Sequence, residues 1–146
     1  MKRKIFILSI CVIACLFMSG CQKEEEMETE TKTIELNFAN DTEEAIDVWI
    51  LPDIEANHKT SIWGKAMIDD LPVNKGAVIK AIYQEEDSYL LRVIDADGLY
   101  YEANGITLKD GCSLKLILNR QDFSASLEVE DENGNTSTYE VFCAAL

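Results

Sequence analysis

His58 is the only histidine in the 146-residue chain, so a Ser-His-Asp hydrolase would have to use it as base. It lies in "ANHKT", a polar stretch read as loop, and no serine sits in a glycine-flanked elbow. We read His58 as exposed and non-catalytic. One histidine and scattered cysteines give no zinc-ligand spacing. Acidic pairs are plentiful: Glu43-Glu44, Asp69-Asp70, Glu85-Glu86-Asp87, Asp95 with Asp97, and Glu130 to Glu132. Two carboxylates could cleave a glycosidic bond, but among 27 acidic residues such pairs arise by chance. "DADG" and "DENGN" make Asp95, Asp97 and Asp131 weak calcium candidates, because alternate oxygen side chains converge on that ion. Neither stretch completes a loop. The sixth position, which needs glycine, is Tyr100 counting from Asp95 and Thr136 counting from Asp131. Both stretches are explained as turns, and no metal or other cofactor is assigned.

Aromatic side chains offer a different chemistry. Trp49, Trp63, Tyr83, Tyr89, Tyr100 and Tyr101 could form a platform for carbohydrate or peptide. Tyr100 and Tyr101 are strand neighbours, so they face opposite ways, and Trp49 opposes Val48 in the same manner. Trp49, Trp63 and Tyr100 are therefore the candidate contact aromatics.

The elements that must position these residues are strands. "TIELNF" places Ile34, Leu36 and Phe38 on one face, and "IDVWIL" places Ile46, Val48 and Ile50 on one face. "AVIKAIY", "YLLRVI" and "LYYEA" are further β-branched and aromatic runs. "CSLKLIL" and "FSASLEVE" alternate, and "STYEVFCA" puts Tyr139, Val141 and Cys143 together. Polar turns separate these runs. Asn133-Gly134 and Asp97-Gly98 read as type I′ hairpins, with positive φ at both central residues. About eight short strands predict an all-β, antiparallel β-sandwich. Only "NHKTSIWGKAMIDD" resists a strand assignment, and reads as a long loop or a short helical turn.

Before the strands, "MKRK" leads into an uncharged run from Ile5 to Met18, too short for the roughly 20 residues of a spanning helix. A basic flank, an apolar core and small residues before a cut form the export pattern. "MSGC" resembles the lipobox of bacterial prolipoproteins, with Met18 where that family prefers Leu. The resemblance implies that residues 1–20 are a removed signal peptide. It also implies that Cys21 takes a diacylglycerol and becomes the N-terminus. The protein would then sit on the extracytoplasmic face of a bacterial cell membrane, held by lipid without spanning the bilayer. Residues 21–32 would be the lipidated cysteine and an acidic tether, whose one apolar side chain is Met27.

Of five cysteines, Cys11, Cys15 and Cys21 precede the domain, which leaves Cys112 and Cys143. They could pair as a disulfide in an oxidising compartment, or stay as buried thiols. Removing the three leader cations from 13 basic residues leaves ten against 27 acidic ones, a net charge near −17. So acidic a surface argues against nucleic acid and anionic headgroups as partners.

Residues 33–146 thus read as one domain. From Asn40–Thr42 through Pro52, Trp63-Gly64, Leu71-Pro72, Gly76, Arg92, Asp95, Asp97 and Gly98, the chain is similar to a small β-sandwich module of uncharacterised bacterial exported proteins. That resemblance implies a fold and no activity. The expected role is a non-enzymatic binding module meeting an envelope protein or glycan. A hydrolase using paired carboxylates and a calcium-dependent adhesion module are the alternatives.

Overall fold

The structure, a computed structural model, describes residues 31–119 and 124–145. The leader, Cys21 and most of the tether lie outside them. Among the described residues, ten strands form two five-stranded sheets: β1 (Thr33–Asp41), β2 (Ile46–Pro52), β3 (Ile68–Leu71), β4 (Gly76–Ile82), β5 (Ser88–Asp95), β6 (Leu99–Thr107), β7 (Ser113–Asn119), β8 (Ser124–Glu130), β9 (Thr136–Glu140) and β10 (Phe142–Ala145). One short helix, α1 (Glu55–Lys59), falls between β2 and β3. The first sheet runs β4-β1-β7-β8-β9 and the second β10-β6-β5-β2-β3. Every pairing is antiparallel except β1 with β7, which is parallel. The fold is an all-β sandwich.

Alternation does the work in β1. Ile34, Leu36 and Phe38 point inward and are buried, while Glu35 and Asn37 between them are exposed. The inward residues of β1 meet those of β7 and β8 (Leu114, Leu116, Leu127) and, from the second sheet, Val48, Leu91 and Tyr101. At about 25 cal/mol per Å² of apolar surface, this shared core supplies most of the drive to fold. In contrast, β5 is buried on both faces, Leu90 and Arg92 included. Its outward face lies beneath residues 53–67, a strap that includes α1. Such two-sided burial is why "YLLRVI" reads as a nearly unbroken apolar run.

Three expectations are corrected. Eight strands become ten because "MIDD" contributes β3, and because "STYEVFCA" is two strands. The chain leaves the first sheet after β9 and joins the second as β10. Buried Val141 forms the joint, its N–H donating to Ala125 O at 3.3 Å. The hairpins are not type I′ either. Gly98 and Gly134 have φ of +79°, but neither Asp97 nor Asn133 is positive. Each turn is closed by the glycine N–H donating to a carbonyl three residues back, Asp95 O or Asp131 O, at 2.9 and 3.0 Å. The cause is the first aspartate. Asp131 Oδ1 accepts from the N–H groups of Asn133 and Asn135, each at 2.9 Å, which fixes a three-residue turn with one left-handed glycine.

Asn40 and Thr42 staple the β1–β2 turn. Asn40 is 1% exposed. Its Nδ2 donates to Glu44 O and Leu71 O, each at 2.9 Å, and its Oδ1 accepts from Thr42 N at 3.0 Å and Thr42 Oγ1 at 2.6 Å. A buried amide survives only when so fully partnered.

Candidate functional site

The outward face of the second sheet gathers the aromatic candidates. Trp49, Arg92, Glu102 and Phe142 lie directly opposite one another across β2, β5, β6 and β10. Arg92 is 2% exposed. Its Nε donates to Glu102 Oε2 at 2.7 Å, its Nη1 to Thr60 O at 3.1 Å and its Nη2 to Asn57 O at 2.6 Å. A buried guanidinium is tolerable because an ion and two carbonyls replace its water. Both carbonyls belong to the strap, so Arg92 bolts the strap to the sheet.

Trp63 is the strap's second attachment. Its ring lies edge-on to Trp49 at 5.2 Å between centroids and stacks on Tyr100 at 5.3 Å. The Arg92 guanidinium lies 4.7 Å from the Trp63 ring centre, a cation–π contact. The three expected contact aromatics therefore meet, but largely with each other. Trp49 is buried, Trp63 and Tyr100 are half-buried, and Phe142 on the same face is exposed. The alternation of "YEVFCA" could have placed Phe142 outward, opposite Cys143. Tyr100 donates to Glu102 Oε2. Burial, that bond and the Glu102 charge together push its phenol up to about 12.

The strap's root is held by Asp53, which the sequence reading missed. Asp53 Oδ2 accepts from Gly105 N at 2.6 Å and Ser88 Oγ at 3.5 Å, and Oδ1 pairs with His58 Nε2. Burial raises the Asp53 pKa, but the bonds from His58 and Gly105 outweigh it and leave it below the usual carboxylate value. Ser, His and Asp are thus near one another without forming a nucleophilic relay. The hydroxyl donates to the carboxylate, and no bond links it to the imidazole. His58 is exposed, as expected, and works as a structural partner of Asp53.

The calcium candidates are occupied by the protein's own donors. Asp95 is buried, with Oδ1 accepting from Asp97 N at 3.0 Å and Leu99 N at 2.8 Å, and Oδ2 from Tyr101 Oη at 2.9 Å. Asp131 takes three donors from its own turn, Asn135 Nδ2 among them at 2.9 Å. Asp95 ends β5 and Asp97 lies in the β5–β6 turn, whereas Asp131 lies in the β8–β9 turn of the other sheet. Among the described residues no cluster of three or more His, Cys, Asp or Glu side chains is arranged to hold a metal. Cys112 and Cys143 are free thiols, the first buried just before β7 and the second half-buried on β10.

The opposite side of the sandwich carries a feature that sequence reading did not find. A trough of about 690 Å³ crosses the outward face of the first sheet. Small side chains form its floor, Asn37 and Ala39 on β1 and Ser113 on β7. Val78 stands exposed on one bank, and Lys115, Glu128 and Glu130 line the other. Lys115 Nζ is 3.0 Å from Glu128 Oε2, and that carboxylate holds the ammonium pKa above its usual value. The signal was present in three short outward residues, Asn37 and Ala39 of β1 and Ser113 of β7, set among longer ones such as Glu35 and Lys115. Their alignment depends on the parallel β1–β7 register, which places Asn37 opposite Ser113.

Compared with models of known families, with curated proteins and with solved structures, the chain matches none.

Proposed function

We propose that this protein is a lipid-anchored, extracytoplasmic binding module of the bacterial envelope, and that it holds its partner in the trough of the first sheet. The observation that carries the reading is the contrast between the two faces. On the second sheet, Arg92, Glu102, Asp53, His58 and Asp95 are engaged in holding the fold together. On the first sheet, an open concavity presents Val78, Asn37, Ser113, Lys115 and Glu130 without a covering element. Its outward lining combines short polar side chains, charge and the aliphatic Ala39 and Val78, with no exposed aromatic. A glycan ring would call for an exposed aromatic to stack on, so the lining favours a polypeptide segment of an envelope protein. The reading is of a binding module and assigns no catalytic residue.

The anchor rests on "MSGC". Radiolabelled palmitate is expected in the wild-type protein and lost in Cys21→Ala, and labelling that survives the substitution would end the anchoring reading. The trough is tested separately, with a photoreactive amino acid at Val78 in living cells. A discrete crosslinked partner at Val78, absent when the probe sits at Ser61, supports it. Equal crosslinking at both positions defeats it.

A further inference from the structure

We infer that the strap between β2 and β3 is a foot that seats in the surface of the phospholipid bilayer, with Ile62 as its inserting side chain. The inference deepens the anchoring reading above and rests on it.

Six large hydrophobic side chains are exposed among the described residues, and Ile54, Ile62 and Met67 all lie on the strap. Ile62 is the most exposed of them, at 85%. A mobile loop could fold such a residue away, but here the turn is fixed. Ile62 N donates to Thr60 Oγ1 at 3.2 Å, and Thr60 Oγ1 donates to Ile62 O at 3.1 Å. Thr60 O in turn accepts from Trp63 Nε1 at 2.9 Å and Arg92 Nη1 at 3.1 Å. The next residue, Trp63, is stacked beneath on Tyr100. The fold therefore holds an isoleucine out in solvent from a turn bolted to a buried arginine.

Local charge leaves lipid contact open. Across the strap, residues 53–67, Lys59 and Lys65 balance Asp53 and Glu55, Lys59 pairing with Glu55, and the stretch from Ala56 to Met67 that carries Ile62 holds no acid, although 27 acids are spread over 146 residues. Charges beyond a Debye length of about 8–10 Å are largely screened, so the local patch outweighs the net charge at a surface. Lysines flanking an apolar tip, with a tryptophan behind it, suit the headgroup–acyl boundary.

The attachment point agrees. Lys32 is fixed to the domain, its O accepting from Tyr83 N at 2.9 Å and its ammonium lying 3.6 Å over the Tyr83 ring. The turn that follows Tyr83 borders the strap's root, with Gln84, Glu85 and Glu86 sharing a small concavity with Asp53 and Ile54. Ten residues lie between Cys21 and Lys32, a span of at most roughly 40 Å. A lipidated chain so tethered sees the bilayer at an effective concentration on the order of millimolar, so one inserting side chain suffices. The trough, on the other sheet, would then face away from the membrane and stay open to a partner.

The chain's two tryptophans, Trp49 and Trp63, both sit in this cluster, so in the folded protein its indole fluorescence reports on the strap and the sheet face beneath it. The full lipidated protein is placed in phosphatidylcholine–phosphatidylglycerol vesicles, with and without bromine-labelled acyl chains. Bromolipid is expected to quench the wild-type emission. Ile62→Asp, an exposed change that leaves the urea midpoint unaltered, should lower the seated fraction about tenfold or more and abolish most of the quenching. Val78→Asp in the trough should leave quenching intact. Palmitate on Cys21 without quenching overturns the foot alone, whereas absence of palmitate overturns the anchor and the foot with it. Quenching unchanged in Ile62→Asp also overturns it. So does a photoreactive probe at residue 62 that crosslinks to a protein in place of lipid.

Discussion

Replacing Arg92 by alanine tests the central structural claim, that one buried guanidinium holds the strap on the second sheet. Arg92 is 2% exposed and makes three hydrogen bonds, one to Glu102 at 2.7 Å and two to strap carbonyls at 3.1 and 2.6 Å. Removing one partner of a buried ion pair costs about 3–5 kcal/mol. The Glu102 side chain is 16% exposed and keeps Tyr100 as a donor, and the freed carbonyls can reach water as the strap lifts. We therefore expect the low end, about 3 kcal/mol. At a urea slope of about 1.5–2 kcal/mol/M, the unfolding midpoint read by tryptophan emission should fall by about 1.5–2 M. Loss of the bolt should also open the strap locally, so trypsin should cut after Lys59 and Lys65 under native conditions. Should Arg92→Ala not fold, Arg92→Lys serves, since one ammonium cannot span Glu102 and both carbonyls. Glu102→Gln keeps the acceptor oxygen and removes only charge, so about 1 kcal/mol is expected there. An Arg92→Ala loss under about 1 kcal/mol, with Lys59 and Lys65 as resistant as in the wild type, would refute the reasoning.

Other perturbations probe the neighbouring groups. Because the Tyr100 phenol is raised to about 12 from the ordinary value near 10, its contribution to stability is complete below about pH 10 and is lost as pH approaches 12. A tyrosinate absorbance titration should show one residue ionising late, and Glu102→Gln should bring it earlier. The Asp53 pKa is depressed, so its contribution is complete above the ordinary carboxylate value near 4 and fades as pH falls below it. Strap opening followed by tryptophan emission should therefore set in under acid, and Asp53→Asn should flatten that dependence. Asp95→Ala strands two backbone N–H groups and the Tyr101 hydroxyl, a loss of about 2–4 kcal/mol by thermal or urea unfolding. Millimolar calcium should leave the wild-type melting temperature unchanged, because the Asp95 carboxylate is already filled by its own turn. Iodoacetamide should modify half-buried Cys143 well before buried Cys112, read by peptide mass.

The sequence by itself determined most of the strands. In β1, Ile34, Leu36 and Phe38 alternate with polar neighbours, and that pattern dictates which face is buried whatever the rest of the chain does. It also determined the polar punctuation, and that Tyr100 and Tyr101, like Val48 and Trp49, must face opposite ways on their strands; the packing of the core decided that Tyr101 and Val48 are the inward members. Tertiary structure decided what covers each outward face. Trp49, Arg92, Trp63 and Tyr100 are spread over 52 positions of chain, and only the β2–β5–β6 register together with the strap makes them one cluster. The same holds for the trough, whose floor exists because β1 lies parallel to β7, a pairing between segments more than 70 residues apart. Local signals were misread where a nearby side chain overrode them. Asp-Gly and Asn-Gly suggest a type I′ turn, but the aspartate at the turn's start captures the following N–H groups and leaves one left-handed glycine. "STYEVFCA" alternates without a break, so nothing local announces that the chain changes sheets at Val141. Alternation is a property of the backbone's two-residue repeat, whereas sheet membership depends on which distant strand has an edge to offer.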